Sequence, residues 1–228
     1  MTRLGDLTTA DLDAESGRRL PLTLVVPIGS LEQHGPHLPL DTDTRIAVAV
    51  ADALAGDDDR LVVAPPIGIG ASGEHQSFAG TLSIGQDGLE FVIIELVRSA
   101  DAFDGVVLLN AHGGNGAALA RAVERLHAEA RHVLLVPCTV EGGDAHAGHT
   151  ETSILLHLCP DAVDMARAVR GDQRPWREIA PVVLTDGIAA VSPSGVLGDP
   201  TTATASDGAA LFAQMVDRAR RSVEGWRR

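Results

Sequence analysis

Lysine and tyrosine are both absent from this chain, and aromatic residues make up only 3% of it. Four Phe and two Trp cannot furnish the stacking platform on which single-stranded nucleic acids are held. All 18 basic residues are Arg, against 31 acidic ones, which leaves a formal charge of −13 at pH 7. Non-specific nucleic-acid binding rests on neutralising phosphates, so no nucleic-acid partner is expected. Docking on an anionic membrane surface is disfavoured for the same reason, and no apolar run approaches the roughly 18 residues a membrane span needs. Only two cysteines, Cys138 and Cys159, are present. They form neither a disulfide framework nor a CxxC metal knuckle, and their apolar settings suggest buried free thiols. The opening Met1-Thr2-Arg3-Leu4-Gly5-Asp6 lacks the regions of a signal peptide, so a cytoplasmic location is expected.

What remains has globular composition, 45% hydrophobic and 21% charged over 228 residues. Residues 1–20 read as a polar lead-in with a short helix over Leu7–Ser16. Apolar runs at Leu22–Ile28, Leu61–Pro66, Val106–Leu109 and Val133–Val136 read as buried strands. Helical patterns alternate with them: Asp43–Ala55 before an exposed turn at 56–59, Asp87–Phe103 with Asp87 as N-cap, an Ala-rich stretch to Ala130, and a helix to His157. Residues 167–178 look like an exposed excursion, Val191–Pro200 is a Gly/Pro loop, and an amphipathic helix closes the chain from about Ala205 to Val223. The alternation predicts one α/β domain over 1–228 with a mainly parallel sheet flanked by helices.

The chemistry concentrates after the strands. Six of nine histidines (His34, His37, His75, His112, His146 and His149) fall in four Gly-rich loops that each follow an apolar strand. Loops at the carboxyl ends of parallel strands emerge at one sheet edge, so these residues can converge. Glu32, His34, Asp43, His112 and Glu151 would then form a mixed oxygen and nitrogen set suited to zinc, iron or manganese. Five ligands exceed what one catalytic zinc takes, and two divalent ions roughly 3.5 to 4 Å apart sharing Asp43 would resolve the excess. Such a pair lowers the pKa of bound water toward neutrality and polarises a carbonyl. Each element also has a simpler account. Glu32 and His34 fit a solvated loop, Asp43 a helix cap, and His146 with Glu151 a helix start capped by Thr150 or Thr152. Glu74 and His75 can merely brace their glycine loop. His127, His132 and His157 lie within helix or strand patterns and are read as structural.

Three motifs, Gly29-Ser30-x-Glu32-Gln33-His34-Gly35-Pro36-His37-Leu38-Pro39-x-Asp41-Thr42-Asp43, Asn110-x-His112-Gly113-Gly114-Asn115 and His146-Ala147-Gly148-x-x-Glu151-Thr152-Ser153, resemble the creatininase family of metal-dependent amidohydrolases. The likeness spans about residues 20–200. It implies an α/β fold, two divalent ions per subunit and a ring-shaped homo-oligomer, a hexamer or similar. By that likeness Glu32 and His112 bind one metal, His34 the other, and Asp43 bridges. Creatininase proper carries Glu two residues after the His112 equivalent, where this chain has Gly114, and Glu151 is the best substitute. His146 resembles the family's active-site histidine, a candidate acid/base or oxyanion partner. Residues 70–81, 143–148 and 192–200 resemble those family members that cut a modified precursor peptide near its C-terminus and release a crosslinked Val-Tyr dipeptide. In that reading Glu151 or His146 shuttles the proton, and the loop with Glu74 and His75 faces the peptide. Gly114 and the lack of tryptophans near the motifs argue against creatinine as substrate. The remaining alternatives are a formamide hydrolase of flavin or deazaflavin biosynthesis and a metal-containing binding protein that cleaves nothing.

Overall fold

The computed structural model describes residues 1–16, 22–56 and 58–227. The strands β1 (Thr2–Arg3), β2 (Thr23–Ile28), β3 (Leu61–Val63), β4 (Gly105–Asn110) and β5 (Val133–Pro137) form one sheet in the order β1-β3-β2-β4-β5, every pair parallel. Among the described residues the α-helices are α1 (Thr9–Ser16), α2 (Thr42–Gly56), α3 (Gly85–Arg98), α4 (Gly116–Ala128), α5 (His149–Leu158), α6 (Trp176–Asp186) and α7 (Ala205–Trp226). None is long and apolar enough to cross a membrane.

All six residues of β2 and of β4 are buried, because helices cover both faces of the sheet. Side chains alternate between the faces. Val25, Val63, Val107, Leu109 and Val136 point to a core shared with α2, α5 and α7. Leu24, Val26, Ile28, Val106, Leu108 and Val133 point to another core closed by α3 and α4. Fully burying one such side chain stabilises by about 1.5–3 kcal/mol, so both layers hold the sheet firmly. The register pairs Ile28 with Asn110 and Asn110 with Pro137. The loops that follow β2, β4 and β5 therefore leave the sheet at one level.

Several local expectations need correction. Asp87 does not cap α3: the helix begins at Gly85 and the residue before it, Ile84, offers no side-chain acceptor. Neither Thr150 nor Thr152 caps α5. Asp144 does so from outside the helix, its carboxylate accepting the His149 and Thr150 N–H groups. The end of the expected exposed excursion, from Trp176 on, is helical: residues 176–186 form α6 despite an internal Pro181. The closing helix runs on to Trp226. Of the expected lead-in and exposed turn, residues 17–21 and 57 lie outside the described residues. Cys138 is buried and Cys159 half-buried, both as free thiols.

Candidate metal centre

The loop after β2 carries most of the site. It turns sharply because Gly29 lies against the Thr44 backbone, where an added Cβ would collide. That close approach brings Asp43, in the first turn of α2, beside residues 30–34. A carboxylate there also suits the positive end of the helix dipole. The Ser30 hydroxyl donates to Asp43 Oδ2 at 2.7 Å and fixes its plane. Asn115 ties the neighbouring loops together: its amide donates to the Gly29 carbonyl (2.9 Å) and to Asn110 Oδ1 (3.1 Å), while its oxygen accepts from Ala71 N–H (2.8 Å).

The five expected ligands meet around Asp43. His34 Nε2 is 3.1 Å from Asp43 Oδ1, and His112 Nδ1 is 3.3 Å from Asp43 Oδ2. Glu32 Oε2 lies 3.0 Å from His112 Nε2, and Glu151 Oε2 lies 4.0 Å from His34 Nε2. Two sets are compact enough to hold a cation, Glu32/Asp43/His112 and His34/Asp43/Glu151, and Asp43 belongs to both. A third set, Glu32/His34/His146, overlaps them. Glu74 and His75 stand at the edge, with Glu74 Oε1 3.7 Å from His112 Nε2 and His75 Nε2 3.2 Å from Glu32 Oε1. His146 lies between His34 and His75, tilted to the first and edge-on to the second, with ring centroids 4.4 and 4.5 Å away. His37 and His149 do not join the cluster: His37 Nε2 bonds Thr152 Oγ1 (2.8 Å), and His149 Nδ1 bonds Thr202 Oγ1 (2.9 Å). His127 donates to the Val133 carbonyl, His132 stacks on Trp226 and His157 packs near Phe212, as their sequence settings suggest.

Two features fit divalent cations. Glu32 is fully buried, yet neither carboxylate oxygen has a hydrogen-bond donor. An uncompensated buried carboxylate costs several kcal/mol, so a positive charge belongs beside it. The histidines also share a pattern. One ring nitrogen faces a backbone carbonyl in each: His34 Nδ1 that of Glu32 (3.1 Å), His112 Nε2 that of Ala71 (3.1 Å), His146 Nε2 that of Gln33 (2.8 Å). Donating there assigns each tautomer and leaves the other nitrogen's lone pair facing a carboxylate, the arrangement metal-ligating imidazoles adopt.

The electrostatics without ions express the same demand. Burial opposes charge on His34, but Asp43, Glu151 and Glu32 outweigh it and lift the ring to about 10. His112 is lifted to about 9 against burial, chiefly by Glu32 and Asp43. Burial pushes Glu32 and Glu151 up to about 7. Asp43 is held well below the usual range, the two imidazoles outweighing its burial. His146 and His75 are pushed down by burial and by their charged neighbours, His75 to about 3. The anionic centre draws protons onto its two best-placed imidazoles, where cations would take their place.

The cluster floors a cavity of about 730 Å³. One wall comes from residues 172–176 with Val183 and Leu184 of α6, a contribution the sequence reading missed. Trp176, 48% exposed, lines this wall, so the expectation of no tryptophan near the motifs does not hold in space. Gln33 was also passed over: its amide nitrogen lies 3.0 Å from His75 Nδ1 and 3.1 Å from the Gly195 carbonyl, joining floor to wall. Its place inside the first motif was the available signal.

Known proteins are similar to this chain in sequence and in fold. A mycofactocin precursor peptide peptidase from Mycolicibacterium smegmatis is 52% identical over 213 residues, covering 91% of this chain and 86% of the relative. Its namesake from Mycobacterium ulcerans is 50% identical over 228 residues, covering 95% and 91%. A solved structure, "Creatininase Mn", superimposes with a TM-score of 0.82 at 23% identity, covering 98% of each chain, which establishes the fold. Residues 5–223 match the family model described as creatinine amidohydrolase, and the chain belongs to this creatininase family of amidohydrolases.

Proposed function

We propose that this chain is a metal-dependent peptidase that cuts the modified mycofactocin precursor peptide near its C-terminus, releasing the crosslinked Val-Tyr-derived dipeptide. The observation that carries the reading is Asp43 shared by two donor sets on the floor of a cavity large enough for the end of a peptide. Half-identical relatives named for that activity support it. The whole stretch 1–228 acts as one metallohydrolase domain in this reading.

Glu32, Asp43 and His112 would hold one divalent ion, and His34, Asp43 and Glu151 a second, whether zinc, iron or manganese. When bound, such a pair supplies a water acidified toward neutral pH and a Lewis acid for the carbonyl oxygen. The chain's own residues do the rest. Ser30 holds Asp43 in the orientation that lets each of its oxygens face one imidazole. Ala147 N–H donates to Glu151 Oε2 (2.6 Å), which keeps that carboxylate turned to the floor. His146, kept neutral by burial, presents Nδ1 toward Glu32 on the reacting side. Trp176, Val183, Leu184 and Leu197 offer an apolar wall for the peptide's side chains, and Glu74 and His75 border the scissile bond. The protein is proposed to work in the cytoplasm as a ring-shaped homo-oligomer.

Purified protein incubated separately with the modified precursor and with a formylaminopyrimidine, each followed by mass spectrometry, tests the assignment. Release of the C-terminal dipeptide with the heterocycle untouched is the expected result. Processing of the heterocycle alone would overturn it, and no hydrolysis with any metal loaded would favour a binding protein.

A further inference from the structure

Amide hydrolysis must move a proton from water to the departing nitrogen, and most titratable groups on the cavity floor already have partners. Glu151 accepts from Ala147 N–H and faces His34. His146 directs Nε2 to the Gln33 carbonyl, and His75 has the Gln33 amide at one nitrogen and Glu32 at the other. Glu32, Asp43 and His112 form a donor set.

Glu74 has His112 as a charged neighbour but differs in its hydrogen bonding. It lines the cavity, its side chain is 20% exposed, and among the described residues no hydrogen bond reaches its carboxylate. It comes from a short 3-10 turn, Gly73–His75, and lies outside the donor sets, with Oε1 3.7 Å from His112 Nε2.

Its position depends on residue 114. A Cβ added at Gly114 would fall under 3.0 Å from Glu74 Oε1, from His112 Nε2 and from the Ala71 carbonyl. Gly114 does not have a left-handed φ, so its backbone conformation does not call for glycine. Its carbonyl is anchored by the Gln86 amide at 2.7 Å, which limits how far the loop can retreat. The bare Cα leaves room for the Glu74 carboxylate, the His112 ring and the Ala71 carbonyl together.

We propose that Glu74 is the catalytic proton carrier of this site, seated in space that Gly114 leaves beside His112; the proposal rests on the peptidase reading above. As the oxygen of water bonds to the scissile carbonyl carbon, Glu74 takes one of its protons. As the C–N bond breaks, that proton passes to the nitrogen, giving one product a new carboxyl group and the other a free amine. Glu74 ends in its starting state, so no further reactant is needed.

The test compares wild type, Glu74→Gln and Glu74→Asp, all loaded with the same cation and given the modified precursor peptide. General acid–base catalysis contributes roughly 10²- to 10⁴-fold, and Glu74→Gln is expected to lose kcat by that factor. Its KM and its cation content by elemental analysis should match wild type. Glu74→Asp, which keeps a carboxylate, should retain more activity than Glu74→Gln at the same cation content. Glu74→Gln protein that cleaves as fast as wild type would overturn the proposal, leaving the peptidase reading intact. Loss of cations from Glu74→Gln would overturn it too, making Glu74 a ligand. Wild type that leaves the peptide whole would end both.

Discussion

The two donor sets that share Asp43 are unequal. Glu32, Asp43 and His112 are all buried, held by strand-edge loops that Asn115 ties together. The set of His34, Asp43 and Glu151 borrows its last member from α5, and the Glu151 side chain is 21% exposed to the cavity. Burial strengthens electrostatic attraction, so in the proposed reading the first set would hold its cation more firmly and the second would be the one open to solvent and substrate. Asp43, common to both sets, would make them one unit in that reading.

Breaking the bridge has the largest expected effect. Asp43→Ala should abolish peptide hydrolysis while retaining the far-UV circular dichroism of the fold. Activity persisting in that variant would mean that the two sets do not act together. Glu151→Gln should strip one cation per chain and leave the other, as read by elemental analysis after brief chelation. Loss of both ions would erase the distinction between buried and open sites. A smaller effect is expected for Ser30→Ala, which removes the hydroxyl that orients Asp43. Partners of that kind are worth 10- to 100-fold in metal affinity, measurable by competition with a chromogenic chelator.

The smallest effect concerns pH. Buried His37, bonded to Thr152 of α5, is pushed by burial and by charge on His34 from 6.5 to about 4. Between those values the unfolded chain takes up a proton that the folded ring refuses, so stability is lost as pH falls through that window. His37→Gln should flatten the fall in Tm between pH 6.5 and 4. An unchanged acid limb would place the sensitivity elsewhere.

Much of this was legible because buried parallel strands announce themselves as unbroken apolar runs, and β2 and β4 do so. The loops were legible because glycine and histidine gathered after each strand. What escaped depends on contacts between residues distant in sequence. Asp144 is the exception, a local one: it lies five and six residues before His149 and Thr150, whose N–H groups it accepts in place of a Thr150 or Thr152 cap. The excursion read as exposed does carry exposed residues, yet Ile179 and Val183 of α6 are buried against Leu197 and beside Phe78. That packing turns the segment into the cavity wall and brings Trp176 to the site. Its arginines and Pro181 hide the helical period, so periodicity alone gave no warning. Gln33 and Asn115 were visible within motifs, but their roles as ties between loops follow only from the register.

Anomalous diffraction at the edges of zinc, iron and manganese, on crystals of protein purified without added metal, tests the central claim most directly. The account predicts two peaks, each at roughly 2.0–2.2 Å from one Asp43 oxygen. One would be shared with Glu32 and His112, the other with His34 and Glu151. A single peak that leaves Asp43 unliganded, or peaks away from these side chains, would contradict it.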